Sequence, residues 1–368
     1  MNRLFDMKEF RLLLESLATT DGASLKEGPR RERLKHFLAL HDVETDTDDA
    51  GNLWCHFFKG AWDDTVIYDA HIDVVQKGVI QAVTYDDDKM IGMGVGDNLT
   101  AVALLAMLGK AIAAKEVILT RPLKLLFSVG EEGDGNLKGV RQVVKDHHSA
   151  PRLFISFDLS FEDYSVSALG SKRYSVNVSC PGGHSWDDYG TPGAIEQLIG
   201  FFDALSNQFE PVASQHPGLI SFNTGMISGG EGINSISGKA DATFEFRSVD
   251  EQLLETMDLR VFEIIDGMNL KKGVTAECVH TGERPAAKPV SPERIEPLVT
   301  KLLKDVCDNP QSVPRSTNIN IPLVSGWPSI CMGLCRGGRF HSDEEYVYMK
   351  SVEDGWRVLL ALTKELAG

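Results

Sequence analysis

A chain of 368 residues exceeds what one hydrophobic core usually supports, and at roughly 150 residues per domain it implies two. Its 42% hydrophobic and 24% charged residues are those of a folded globular protein, which excludes the disordered and fibrous classes. Asp and Glu outnumber Lys and Arg by 53 to 37, and the net charge of −16 argues against nucleic acid or any other polyanionic partner, since no long Lys/Arg run segregates a basic patch.

At the amino terminus, "MKEFRLLLESLA" and "RRERLKHFLALHD" carry the period of amphipathic helices, and "GPRRERLK" reads as a solvated helix start. There is no signal-peptide apolar region and no apolar run of the ~18 residues a membrane span needs, so a cytoplasmic protein without a membrane partner is expected. Six scattered cysteines fit reduced thiols better than a disulfide framework, and Cys331 and Cys335 read as packing residues. Strands and helices then alternate. "TVIYDAHID" reads as a strand, "NLTAVALLAMLGKAIAA" as a helix, "PLKLLFSVG" as a strand, "LKGVRQVVKD" as a helix and "RLFISFDL" as a strand. Such alternation implies an α/β fold with a mostly parallel mixed sheet and helices on both faces.

After residue 169 the order changes to β-α-β-β-α-β, from "KRYSVNVSC" to "VTAECVH", the pattern of a small ferredoxin-like α+β domain. The stretch "TGERPAAKPVSPE" links back to "RIEPLVTKLLKDV", "SICMGL" and "KSVEDGWRVLLALTKELA". The expected organisation is a discontinuous large domain, 1–169 and 283–368, with an insertion at 170–282.

In a parallel α/β sheet, ligands sit at the carboxyl ends of the strands. His71 and Asp73 end one expected strand, Glu131 and Glu132 another and Asp158 a third, while Asp97 opens the helix after "GMGVGD". Singly, each has an ordinary structural explanation: a capping carboxylate, a turn, a histidine satisfied by backbone. Together, five carboxylates and an imidazole in one cleft would repel one another without cations. Nitrogen and oxygen donors without thiolate suit zinc, with manganese or cobalt possible. "GMGVG" lacks the spacing of a dinucleotide loop, and neither an HExxH helix nor a G-x-S-x-G elbow occurs.

The ordered set "AHIDVV", "GMGVGDN", "VGEEGD", "FD", "GGHSW" and "FHSDEEYV" resembles the co-catalytic zinc metallopeptidase family, which includes peptidase T, acetylornithine and succinyl-diaminopimelate deacylases, carboxypeptidase G and aminoacylase. The resemblance covers essentially the whole chain. It implies two divalent metal ions, one held by His71, Asp97 and Asp158 and the other by Asp97, Glu132 and His341, with Asp97 bridging. It implies that Asp73 bonds the far nitrogen of His71, that Glu131 is the general base, and that a cis peptide follows Asp97. His184 of the insertion would stabilise the oxyanion across a homodimer formed by the small domains, and Asn234 and Arg247 would contact substrate. Departures occur at "RSTNIN", where Asn318 replaces a negative charge near the substrate, and at "CRGGRF", where Arg336 and Arg339 precede His341. Aspartate at 158 leans towards an aminopeptidase, because the family's deacylases and carboxypeptidases tend to have glutamate there. The expected function is therefore amide-bond hydrolysis of small peptides, peptidase T-like. An N-acyl amino acid deacylase or carboxypeptidase is the alternative, and a metal-binding homologue without turnover a third.

Overall fold

The computed structural model describes residues 5–75, 82–158 and 160–368; Leu159, the last residue of the expected strand "RLFISFDL", lies outside them. Cα packing divides the chain into two units, Met1–Ala168 with Lys288–Gly368, and Leu169–Ala287.

In the larger unit the near-continuous apolar runs "VIYDAH", "LKLLFS", "LFISF" and "SICM" become strands Val66–His71, Leu123–Ser128, Leu153–Phe157 and Ser329–Met332. All four run parallel in an eight-stranded sheet, in the spatial order Leu123–Ser128, Val66–His71, Leu153–Phe157, Ser329–Met332. Leu53–Phe57 adds an antiparallel partner on one side and Asp163–Ser165 on the other. Runs without polar alternation are what a sheet buried on both faces needs. Helix Thr100–Ala113 is apolar on nearly every side and is correspondingly buried. The segment Val95–Ala113 is long and apolar enough to cross a membrane by composition, but 83% of it is covered within the fold, so it is a core helix. Each fully buried Leu or Val along it contributes roughly 1.5–3 kcal/mol.

A second sheet of the larger unit, ordered Gly337–Gly338, Tyr346–Tyr348, Lys89–Ile91, Thr84–Asp86, is absent from the sequence expectations because its strands are only two or three residues long. It pairs Tyr346 with Ile91 and Val347 with Met90, joining segments about 250 positions apart.

The smaller unit is an antiparallel sheet ordered Ile220–Gly229, Lys239–Ser248, Gly170–Ser179, Thr275–Arg284, the ferredoxin-like order. Helices Ala194–Gln215 and Glu251–Asn269 cover it through Leu198, Phe201, Leu254 and Met257 against Tyr174, Val176, Phe244 and Phe246. Thr275–Arg284 keeps its ladder with Gly170–Ser179 to the pair Arg284↔Ser171, which carries this unit beyond Glu283. Ile220–Gly229 is an edge strand with Met226 67% and Ile227 60% exposed.

Candidate metal centre

Three neighbouring parallel strands end together, and their carboxyl ends deliver the chemistry. His71 closes its strand and Asp73 follows two residues on; Glu131 and Glu132 lie just past Ser128; Asp158 directly follows Phe157. Asp97 comes from an irregular segment that begins at Gly94 (φ 74°), a conformation glycine adopts freely, and the Asp97–Asn98 peptide bond is cis. His341 comes from the turn between Gly337–Gly338 and Tyr346–Tyr348 of the second sheet.

Ligand atoms of His71, Asp97 and Asp158 lie within 4.8 Å of one another, as do those of Asp97, Glu132 and His341, and those of His71, Glu131 and Glu132. Asp97 stands at the centre: its Oδ1 is 3.2 Å from His71 Nε2 and its Oδ2 is 3.1 Å from His341 Nε2. His341 Nε2 is also 2.9 Å from Glu132 Oε1. His71 Nε2 and Asp97 Oδ1 are buried and, despite their approach, lack a hydrogen bond to each other or to any other described residue. Orphaned buried polar atoms of this kind call for an explanation. Two imidazole nitrogens and several carboxylate oxygens converging without thiolate form a donor set that fits divalent cations.

Asp73 meets His71 at the expected nitrogen, chiefly through its backbone. His71 Nδ1 meets the Asp73 carbonyl oxygen at 3.0 Å, whereas the Asp73 carboxylate stands off at 3.6 Å. A proton on Nδ1 donated to that carbonyl leaves the Nε2 lone pair facing the cluster. The carboxylate instead accepts the Glu131 N–H at 3.0 Å, the Glu132 N–H at 2.9 Å and the Ser24 hydroxyl at 2.5 Å. It therefore fixes the backbone that carries both glutamates.

Residues 22–30 brace this arrangement, which no periodicity or motif signals. Arg30, expected in a solvated helix start, is 1% exposed and donates to the carbonyls of Leu17, Thr20, Gly22 and Ile72, the last lying between His71 and Asp73. Burial pulls its guanidinium down to about 10. Glu27, also buried, accepts the Gly130 N–H at 2.9 Å, immediately before Glu131. Glu345 was likewise missed. It is 1% exposed and bonded to the backbone of Gly96 and Asp97.

Other expected contacts fall elsewhere. Asn318, expected near substrate, is 1% exposed and donates to Asp69 and Ser128, both buried within the sheet. Arg336 is turned to Glu162 and the Val306 carbonyl, and Arg339 pairs with Glu344 on the surface. In the smaller unit, Gly183–His184 pairs with Ser235–Ile236, and the Ser185 N–H reaches the Asn234 carbonyl, so His184 and Asn234 are neighbours. His184 Nδ1 faces the turn at Trp186 and Asp187. Arg247 grips Glu245 with two nitrogens, at 2.7 and 3.2 Å, and Arg173 shares that carboxylate.

In the metal-free protein, protons stand where cations would. Burial opposes a proton on His71, but the carboxylates of Asp73 and Asp97 outweigh it and raise its pKa. Asp97 and Glu132 lift His341 to about 10. Burial, then the charge of Glu131, pushes Glu132 up to about 7. Asp97 is held below the usual carboxylate range: burial opposes this, and His341 and His71 prevail. A cation must displace these protons, so saturating the metal-free chain with zinc at pH 8 is expected to release at least the one on His341. Calorimetry in buffers of different ionisation enthalpy reads that number, and zero release would show neutral imidazoles. Because both pKa values lie above the unfolded value of about 6.5, their contribution to the metal-free fold is complete below that pH. For His341 it is lost as pH climbs through about 10.

The description of peptidase family M20/M25/M40 matches residues 67–365. The succinyl-diaminopimelate desuccinylase of Acinetobacter baumannii (strain AYE) is 26% identical over 243 residues, 61% of this chain. The match spans 63% of that curated relative's length. Among solved structures, a tripeptidase from Staphylococcus aureus superposes with a TM-score of 0.81 at 16% identity, covering 99% of both chains. Aminopeptidase PepT from Bacillus cereus gives 0.76 at 15%, again over 99% of both. At such identities the likeness is one of fold.

Proposed function

The chain belongs to peptidase family M20/M25/M40, and from that premise we propose that it hydrolyses peptide bonds with two divalent metal ions, as an aminopeptidase on short peptides such as tripeptides. The observation that carries this reading is Asp97, one oxygen of which approaches each imidazole, with buried orphaned atoms beside it. His71, Asp97 and Asp158 would hold one ion, and Asp97, Glu132 and His341 the other. Zinc suits these donors best, with cobalt or manganese able to substitute. When bound, the ions polarise a substrate carbonyl and lower the pKa of a water from ~15.7 towards ~7.

Glu131 takes the proton of the attacking water and delivers it to the leaving amine. Asp73 holds the Glu131 backbone for that task, and Ser24, Glu27 and Arg30 hold Asp73 and its neighbours. His184, beside Asn234, is assigned to the substrate oxygen that gains charge, and Arg247 to a substrate carboxylate, which would share the guanidinium with Glu245. The exposed edge strand Ile220–Gly229 supports a homodimer through the smaller unit. The protein is placed in the cytoplasm on the sequence expectation.

Full-length likeness to a tripeptidase and to PepT supports the aminopeptidase, while the desuccinylase relative supports a second reading, an N-acyl amino acid deacylase. A homologue without turnover has no use for a buried glutamate backed by Asp73. Trialanine and its N-acetylated form separate the two active readings. Acetylation is expected to lower kcat/KM by at least roughly tenfold, about 1.4 kcal/mol of transition-state binding. Faster cleavage of the acetylated peptide or of an N-succinyl amino acid would assign the deacylase instead.

A further inference from the structure

Two of the residues assigned above to metal binding sit on backbone that no regular ladder holds. Asp97 lies in a segment with non-helical dihedrals (φ −117°, ψ 91°), and His341 has a left-handed backbone (φ 62°) and a side chain that is 47% exposed. His71, by contrast, ends a central strand, is 1% exposed, and has its ring held by the Asp73 carbonyl. The two halves of the cluster are therefore unequally built.

One buried side chain spans both irregular segments. Glu345 Oε1 accepts the N–H groups of Gly96 and Asp97, each at 2.8 Å, and Oε2 accepts the His341 N–H at 3.3 Å. Its own carbonyl accepts the Gly92 N–H at 2.8 Å, and the next residue, Tyr346, pairs with Ile91. Without the carboxylate, two adjacent N–H groups beside Asp97 would be left as buried donors, a cost of roughly 1–3 kcal/mol each. A Cβ at Gly96 would come within 2.8 Å of the Phe340 ring and 3.4 Å of Glu345 Oε1, so glycine leaves the room that both neighbours use. Resting on the two-metal reading, we infer that Glu345 is a positioning residue that keeps His341 in register with Asp97. It thereby sets the affinity of the more exposed metal position, that of Asp97, Glu132 and His341.

The test is zinc binding by the chelator-stripped full chain, followed by calorimetry and by metal content after dialysis. Glu345→Gln keeps an oxygen for Gly96 and Asp97 but turns an amide towards the His341 N–H. The first equivalent is expected to bind as in the unsubstituted chain, and the second ten- to a hundredfold more weakly, the usual effect of an outer-shell partner. With cobalt in place of zinc, the absorption that develops with the second equivalent should be reduced while that of the first is kept, a change that general destabilisation does not produce. Glu345→Asp, which retains the charge but not the reach, gives the same split if the glutamine variant folds poorly. Two equivalents bound with unchanged affinity, or both weakened alike, would overturn the assignment of Glu345. Fewer than two equivalents in the unsubstituted chain would instead overturn the two-metal reading on which it rests.

Discussion

Glu131→Gln is expected to lower kcat by about a hundred- to ten-thousandfold, the range of a lost general base, while metal content stays as in the unsubstituted chain. The substitution is nearly isosteric at a 4% exposed site, and the main-chain bond from Glu131 N–H to Asp73 is untouched, so the backbone keeps its place while the side chain loses its ability to take a proton. It also removes one of the charges that raise Glu132, which leaves that carboxylate a better ligand at neutral pH. The outcome matters because the Glu131 carboxylate lies within 4.8 Å of ligand atoms of His71 and Glu132, close enough to be a ligand itself. Loss of metal along with activity would make it one, and retained activity would remove it from the mechanism.

Asp97→Ala should have the broadest effect of any single change. Both imidazoles approach this one carboxylate, so its removal deprives both halves of the cluster at once. Metal content is expected to fall from two per chain to none and peptidase activity to background, a loss beyond the 10–100-fold typical of outer partners. His341→Ala, which strips only the exposed half, should retain one ion. Elemental analysis after dialysis separates these cases, and an Asp97→Ala chain still holding two ions would contradict the bridging position.

Much of the centre is legible in the sequence because parallel strands turn a linear pattern into a place. Once "VIYDAH", "LKLLFS" and "LFISF" are read as neighbouring strands, His71, Glu131, Glu132 and Asp158 must gather at one edge, as they do. What supports that edge is not legible. Arg30 belongs to an arginine-rich helix start whose composition says solvent, yet its partners are backbone carbonyls as distant as Ile72. Glu345 is one of two adjacent glutamates, and only the pairing of Tyr346 with Ile91 brings it to Gly96 and Asp97. Asn318 reads as a substrate contact from its motif, but its buried partner Asp69 lies two residues before His71 on the same strand and faces into the sheet with Ser128 and Ser156. Periodicity reports which side chains are apolar; it carries nothing about carbonyls and N–H groups brought together from far apart in the chain.

The most direct test of the two-metal peptidase is a titration of the chelator-stripped chain with zinc while the cleavage of trialanine is followed. No hydrolysis is expected without metal, and release of amino-terminal alanine should rise to a plateau at two equivalents per chain, with Asp97→Ala flat throughout. Hydrolysis by the stripped chain, or none at any zinc, cobalt or manganese loading, would contradict the two-metal peptidase.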